Sequence, residues 1–215
     1  MTSAVRPDPK TLREEALRET RRGLILDAAF GVFSEHGMEG TTMRAIAAAA
    51  GCTTGAVYPH FKSKEEVYGA LLARSLDTLG ANVAAAMSSA GKGWPRFEAG
   101  IRALADFYLD RPQEMALGFY LFGSGIGRHG LSKEMDRDLN ERLATTLDRL
   151  EKELSVLAPA RSDRVHGDVM SLFSGLVGGL MLMHTGRLDT FNQPFEAIAE
   201  QQIAAIRSLY DQPAK

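Results

Sequence analysis

The chain has 215 residues, 45% of them hydrophobic and 24% charged, with a formal net charge of −2. Those are the values of a globular protein with room for one small domain and one larger one, and they exclude bulk basicity as a source of nucleic-acid affinity. Residues 1–65 carry nine Lys and Arg against eight Asp and Glu, so any such affinity must come from where the charges sit. The one cysteine, Cys52, excludes an internal disulfide and fits a reducing, cytoplasmic setting.

Residues 1–10 hold two prolines and few apolar groups, and no apolar run follows Arg6 and Lys10 to suggest a secretory signal. Helical patterning begins at Thr11. Residues 1–20 are expected to be a flexible N-terminal arm. The first helix is expected to run to about His36, with Ile25, Leu26, Ala29, Phe30 and Phe33 at three- and four-residue spacing. Gly37 is placed to end it. Thr41 or Thr42 then caps a second helix, Met43 to Ala50, which Gly51 ends after two turns. Thr53 is expected to cap a third short helix reaching about His60. Ser63 and Glu66 have capping-box spacing and open a fourth, which reaches about Ala90. Further helices are expected at 95–110, 112–122, 132–155, 162–186 and 194–210. The glycine-rich segment 123–130 between them reads as a mobile loop.

No alternating pattern argues for a strand, and the fold class is all-α. A three-helix domain with a helix-turn-helix pattern is expected over 21–66, followed by a larger helical domain over 67–215. The most apolar stretch, Val169 to Met183, is shorter than the roughly 20 residues a bilayer needs, so it reads as a buried helix and no membrane partner is expected.

The informative segment is Thr42 to Phe61. Two very short helices joined by a tight turn survive only by packing on a third. Ala47 is small where they cross, Gly51 permits a positive φ at the turn, and Ile46, Val57 and Phe61 fill the core. The third helix then turns Thr53, Thr54, Gly55, Tyr58 and His60 outward. Short or polar-tipped side chains are what a helix needs to enter a major groove about 12 Å wide and reach base edges. Lys64, in the first turn of the fourth helix, adds a cation beside free amides, which suits a phosphate.

The stretch from Ile25 to Leu71 resembles the DNA-binding domain of the tetracycline-repressor (TetR) family. The resemblance lies in ILDAAFGVFSEHG, MEGTTMRAIAAAAG and CTTGAVYPHFKSKEEVYGALL. It implies a homodimer on a near-palindromic double-stranded operator and a recognition helix at Thr53–His60. It also implies phosphate contacts at Thr42, Tyr58, His60 and Lys64; Arg44 joins the expected DNA-binding set. The middle helices would then hold a small-molecule effector, and the last two would form the dimer. Two departures stand out. Thr54 replaces a more usual polar residue, and Pro59 is expected to end the recognition helix early.

For the effector, an apolar or aromatic molecule, the candidate lining is Phe107, Tyr108, Met115, Phe119, Tyr120, Phe122, Met170 and Phe173. His166 and His184 are candidates to orient a polar ligand atom. For the dimer seam, the candidates are Ser171, Gly175 and Gly179 on a face of small residues, with Ile198, Ile206 and Leu209 on the last helix. Cys52 reads as filler of a small apolar slot. His60 has no metal-ligand partner at useful spacing, and neither metal nor cofactor is expected. An enzyme is disfavoured by the lack of a nucleophile–base–acid order or a glycine loop after a strand. A helical adaptor that binds only proteins is disfavoured by the polar outward face.

Overall fold

The computed structural model describes residues 8–123 and 131–211, without the side chains of 119–123. The described residues form helices and turns, with no strand among them. The helices are α1 (Pro9–Gly40), α2 (Met43–Ala49), α3 (Thr54–Val57), α4 (Lys64–Ser89), α5 (Trp94–Leu109), α6 (Pro112–Gly123), α7 (Lys133–Leu157), α8 (Val165–His184), α9 (Arg187–Thr190) and α10 (Phe195–Asp211), with a 3-10 turn at Pro159–Arg161. The segment 124–130, expected as a loop, lies outside the described residues.

Two compact units result. The first comprises the chain to Leu72 together with Ala116–Asp136, and the second comprises Ala73–Met115 and Arg137 onward. Along α4 the division between the units falls after Leu72.

The expected arm over 1–20 is corrected in part. From Pro9 onward these residues are helical, opened by Asp8, whose side chain accepts from the Lys10 amide, and by Pro9, pre-set for a first helical turn. Gly37, at φ 63°, breaks α1 where the sequence placed its end. Ile25, Leu26, Ala29 and Phe33 point inward onto Ile46, Ala47, Val57, Phe61, Val67, Tyr68 and Leu71, all buried. Each large side chain so buried contributes about 1.5–3 kcal/mol, which is what holds two helices too short to stand alone. Phe33 meets Tyr68 edge-on at 5.3 Å, and the Tyr68 hydroxyl donates to the Leu117 carbonyl.

In the second unit, α8 and α10 pack along their length and α5 touches both. Phe97, Ile101, Leu104, Leu150, Leu154, Leu172, Leu176, Phe195, Ile203 and Tyr210 form the core. Arg102 of α5 grips Glu200 of α10 with two bonds of 2.8 and 3.0 Å and reaches Glu98 at 3.2 Å. The Tyr210 hydroxyl donates to Asp168 at 2.9 Å, and Trp94 lies edge-on to both Phe97 and Tyr210.

α8 is long and apolar enough to cross a membrane by length and composition, more so than its most apolar 15 residues suggested. Its small residues have a local explanation. A Cβ on Gly175 would stand 2.2 Å from Gln202 Nε2, and one on Gly179 would stand 3.0 Å from the Phe195 ring. Both glycines thus admit the chain's own α10. Ile206 is likewise buried within the chain, so these three expected seam residues are already occupied. Ser171 is exposed, its hydroxyl bonded to the Gly167 carbonyl, while Ile198 and Leu209 are half-buried.

Candidate nucleic-acid interface

The helix-turn-helix is built by three local devices. Thr42 is the N-cap of α2, its hydroxyl accepting from the Ala45 amide at 3.1 Å. Gly51 takes φ 66°, a conformation that strains any residue with a Cβ, and turns the chain from α2 into α3. Ser63 accepts from the Glu66 amide, and the Glu66 carboxylate accepts from the Lys62 amide at 2.7 Å, so the start of α4 is closed from both sides.

α3 itself is a single turn. Pro59 removes a donor just beyond it, and the regular helix stops at Val57, short of the expected His60. Thr53 occupies the N-cap position but its hydroxyl makes no capping bond, leaving that group unspent. Val57 is fully buried, so the opposite side of the turn faces solvent. Thr53 and Gly55 are exposed, Thr54 is half-buried, and Tyr58 is 52% exposed, a large exposure for an aromatic ring. Thr42 and Arg44 at the start of α2 are also exposed.

Two expected members are placed differently. Lys64 is half-buried and its ammonium donates to the Met38 carbonyl at 2.7 Å. That bond fixes the nitrogen and leaves two of its three N–H groups for other acceptors. His60 faces α1. Its carbonyl accepts from Arg22 Nη1 at 3.0 Å, and the Arg22 guanidinium lies 4.1 Å over the neighbouring Phe61 ring. The His60 Nδ1 is buried with no partner among the described residues. Burial, and then the positive fields of Arg18, Arg21 and Arg22, hold the imidazole below its usual pKa of 6.5. None of these arginines was among the expected site residues: Arg18 fell in the expected arm over 1–20, and Arg21 and Arg22 stand at the very start of the expected domain. Their signal was the four-residue spacing of Arg18 and Arg22, which puts both on one helix face.

The described residues hold no cluster of three or more His, Cys, Asp or Glu able to bind a metal. Cys52 is half-buried beside the turn.

This geometry is a short, rigidly seated turn with hydroxyls and a phenol outward and cations at its edges. Residues 25–71 match the family model for bacterial regulatory proteins of the tetR family. Over that segment the chain is similar to bacterial regulatory proteins of the tetR family. The tetR-family match spans α1 from Ile25, all of α2 and α3, and the start of α4. One curated relative, the transcriptional repressor KstR2 of Mycobacterium tuberculosis, is 47% identical over 60 residues, 28% of this chain and 30% of the relative. The transcriptional activator FasR of Mycolicibacterium smegmatis is 38% identical over 90 residues, 42% of this chain and 41% of the relative. The chain thus spans less than half the length of each. A regulator structure from Pseudomonas aeruginosa PAO1 superposes with a TM-score of 0.73 at 20% identity, covering 89% of this chain and 91% of that one, and shows that the overall fold is shared.

The expected effector-lining residues fall into three groups. Phe107 and Met115 are buried, with Phe107 edge-on to Tyr108 at 5.0 Å and under the Arg111 guanidinium. Met170 and Phe173 are half-buried on α8. The side chains of Phe119, Tyr120 and Phe122 lie outside the described residues. Burial raises the Tyr108 hydroxyl to about 12, so it stays protonated and able to donate. His166 pairs with Glu151 at 2.9 Å on the surface and His184 is exposed, so neither points into the core.

Proposed function

We propose that the protein is a cytoplasmic, ligand-responsive transcriptional regulator that binds a near-palindromic operator as a homodimer and, as a repressor, is released by a small apolar effector. The observation that carries this reading is the seating of α3: Val57 is fully buried while Thr53, Gly55 and Tyr58 are exposed. Thr53, Thr54 and Gly55 read base edges, while Thr42, Arg44, Tyr58, His60 and Lys64 meet phosphates. A dimer sets its two copies of α3 one helical turn of DNA apart, roughly 34–36 Å.

The effector binds among α5, α6 and α8, near Phe107, Met115, Met170 and Phe173. The dimer forms on the outer faces of α8 and α10, through Ser171, Ile198 and Leu209. Met181 and Leu182 on α8 are 47% and 39% exposed and give such a seam apolar area. α4 runs unbroken from Lys64 to Ser89, so a shift of its far end changes the tilt at its start. Effector and DNA affinities are then reciprocally coupled.

The test is selection of bound duplexes from random-sequence DNA by the purified full chain. The reading expects an enriched inverted repeat; recovery of unenriched sequence after repeated rounds overturns it.

A further inference from the structure

α1 extends upstream of the tetR-family segment to Pro9, and its residues up to Arg21 are exposed throughout. An uncovered helix of this length is marginal by itself, and a lone Lys10–Glu14 pair adds only a few tenths of a kcal/mol. Where this stretch passes the end of α3, Glu15, Arg18, Glu19 and Arg22 face His60 across an open cleft of about 430 Å³. The segment from Lys10 to Arg22 carries five basic residues against three acidic ones.

The groups in the cleft differ in how far they are committed. Arg22 holds the His60 carbonyl and covers Phe61, so it fixes the far wall. Arg18 forms no ion pair among the described residues. Opposite it stands the imidazole of His60, whose buried Nδ1 has no partner among the described residues. His60 on the cleft wall is two residues from exposed Tyr58, part of the surface assigned to DNA above.

We propose that this cleft receives a phosphate of the DNA backbone, held between the Arg18 guanidinium and the His60 imidazole, so that the interface extends upstream of the family segment onto the first turns of α1. The proposal rests on the DNA-binding reading and adds a residue to it. A guanidinium is the preferred partner of a phosphate because its fork matches two oxygens. The neutral imidazole supplies one further N–H donor; Arg18 supplies the charge. Glu15 and Glu19 border the same cleft and oppose the phosphate, which gives the site a sign test: removing an arginine weakens binding and removing a carboxylate strengthens it.

The experiment measures the affinity of the full chain for two duplexes, one selected by the wild type and one of random sequence, across a salt series. Each phosphate neutralised contributes about 0.9 to the slope of log affinity against log salt, which is about eightfold in affinity between 1 M and 0.1 M. Arg18→Ala should lower the slope by about 1 for each bound protomer on both duplexes, because phosphates carry no sequence. Arg18→Lys should keep the slope, and Glu19→Gln should tighten both complexes. Arg18 is exposed, so circular dichroism should stay at the wild-type value. An unchanged slope and affinity for Arg18→Ala, with the wild type binding normally, overturns the cleft and leaves the regulator intact. A loss confined to the selected duplex means base reading and also overturns it. A wild type that binds neither duplex overturns both readings together.

Discussion

Replacing Arg22 by alanine tests how the end of the recognition turn is seated. Arg22 is half-buried, donates to the His60 carbonyl at 3.0 Å and lies 4.1 Å over Phe61. A hydrogen bond from a charged donor contributes about 1.5–3 kcal/mol when dry, reduced to about 1 kcal/mol here by partial exposure. The cation–π contact adds about 0.5–1 kcal/mol, and the lost stem packing a few tenths more. Arg22→Ala should therefore cost about 2 kcal/mol. With a urea m-value of about 2 kcal/mol/M, the midpoint followed by far-ultraviolet circular dichroism falls by about 1 M. Arg22→Lys should recover less than half of that, since an ammonium neither stacks nor aims as a planar fork does. A second readout is independent of stability. Arg22 is one of the charges that hold His60 down, so the His60 titration followed by NMR should move up in Arg22→Ala. A midpoint within about 0.2 M of wild type, with an unmoved titration, would mean that Arg22 is simply solvated and the reasoning fails.

The remaining predictions concern packing and protons. Gly179→Leu must displace Phe195, whose ring atoms would lie 3.0–3.1 Å from a new Cβ. It should cost about 3 kcal/mol and lower the calorimetric Tm by about 6 °C or more, whereas Gly179→Ala stays within about 1 kcal/mol because its helix propensity offsets the crowding. An unchanged Tm for the leucine variant would deny that α10 lies there. His60 is faced by Arg18, Arg22, Glu15 and Glu19 in the cleft, with Arg21 close by, and its folded pKa lies below 6.5. The unfolded chain thus binds the proton more readily, so the stability His60 contributes is complete above about pH 6.5 and is lost as pH falls through the folded value. Chemical denaturation of wild type and His60→Asn across that window should converge toward acid. Parallel curves would show that His60 does not titrate as described.

The positions legible in the sequence were those where backbone chemistry dictates one answer. Gly37 and Gly51 both take positive φ where helices were expected to end, Ser63 and Glu66 close the start of α4, and Pro59 shortens α3. The core of the first unit followed from spacing alone, because Ile25, Ala29, Phe33, Ile46 and Val57 have one way to be buried together. Other features were decided by partners remote in sequence. Helical patterning was legible from Thr11, but residues 9–20 carry too little apolar periodicity to show that they are an ordered part of α1, which Asp8 and Pro9 start. Small residues at Gly175 and Gly179 signal close approach without naming the neighbour, and the neighbour is Gln202 and Phe195 of the same chain. Lys64 and His60 are polar residues of the kind that meet phosphate, yet one is fixed by the Met38 carbonyl and the other is turned toward α1 by Arg22. Chain patterning carries no information about those long-range hydrogen bonds.

The central claim is that the exposed side of the turn after Gly51 enters a major groove. Hydroxyl-radical footprinting of the full chain on a selected duplex tests it most directly, comparing wild type with Tyr58→Ala. Tyr58 is 52% exposed, so its truncation should leave the fold and the dimer unchanged. The wild type is predicted to protect two patches centred about 10–10.5 base pairs apart, and Tyr58→Ala to lose both at equal concentration. Continuous protection with no half-site spacing, or a Tyr58→Ala footprint identical to wild type, would contradict the account.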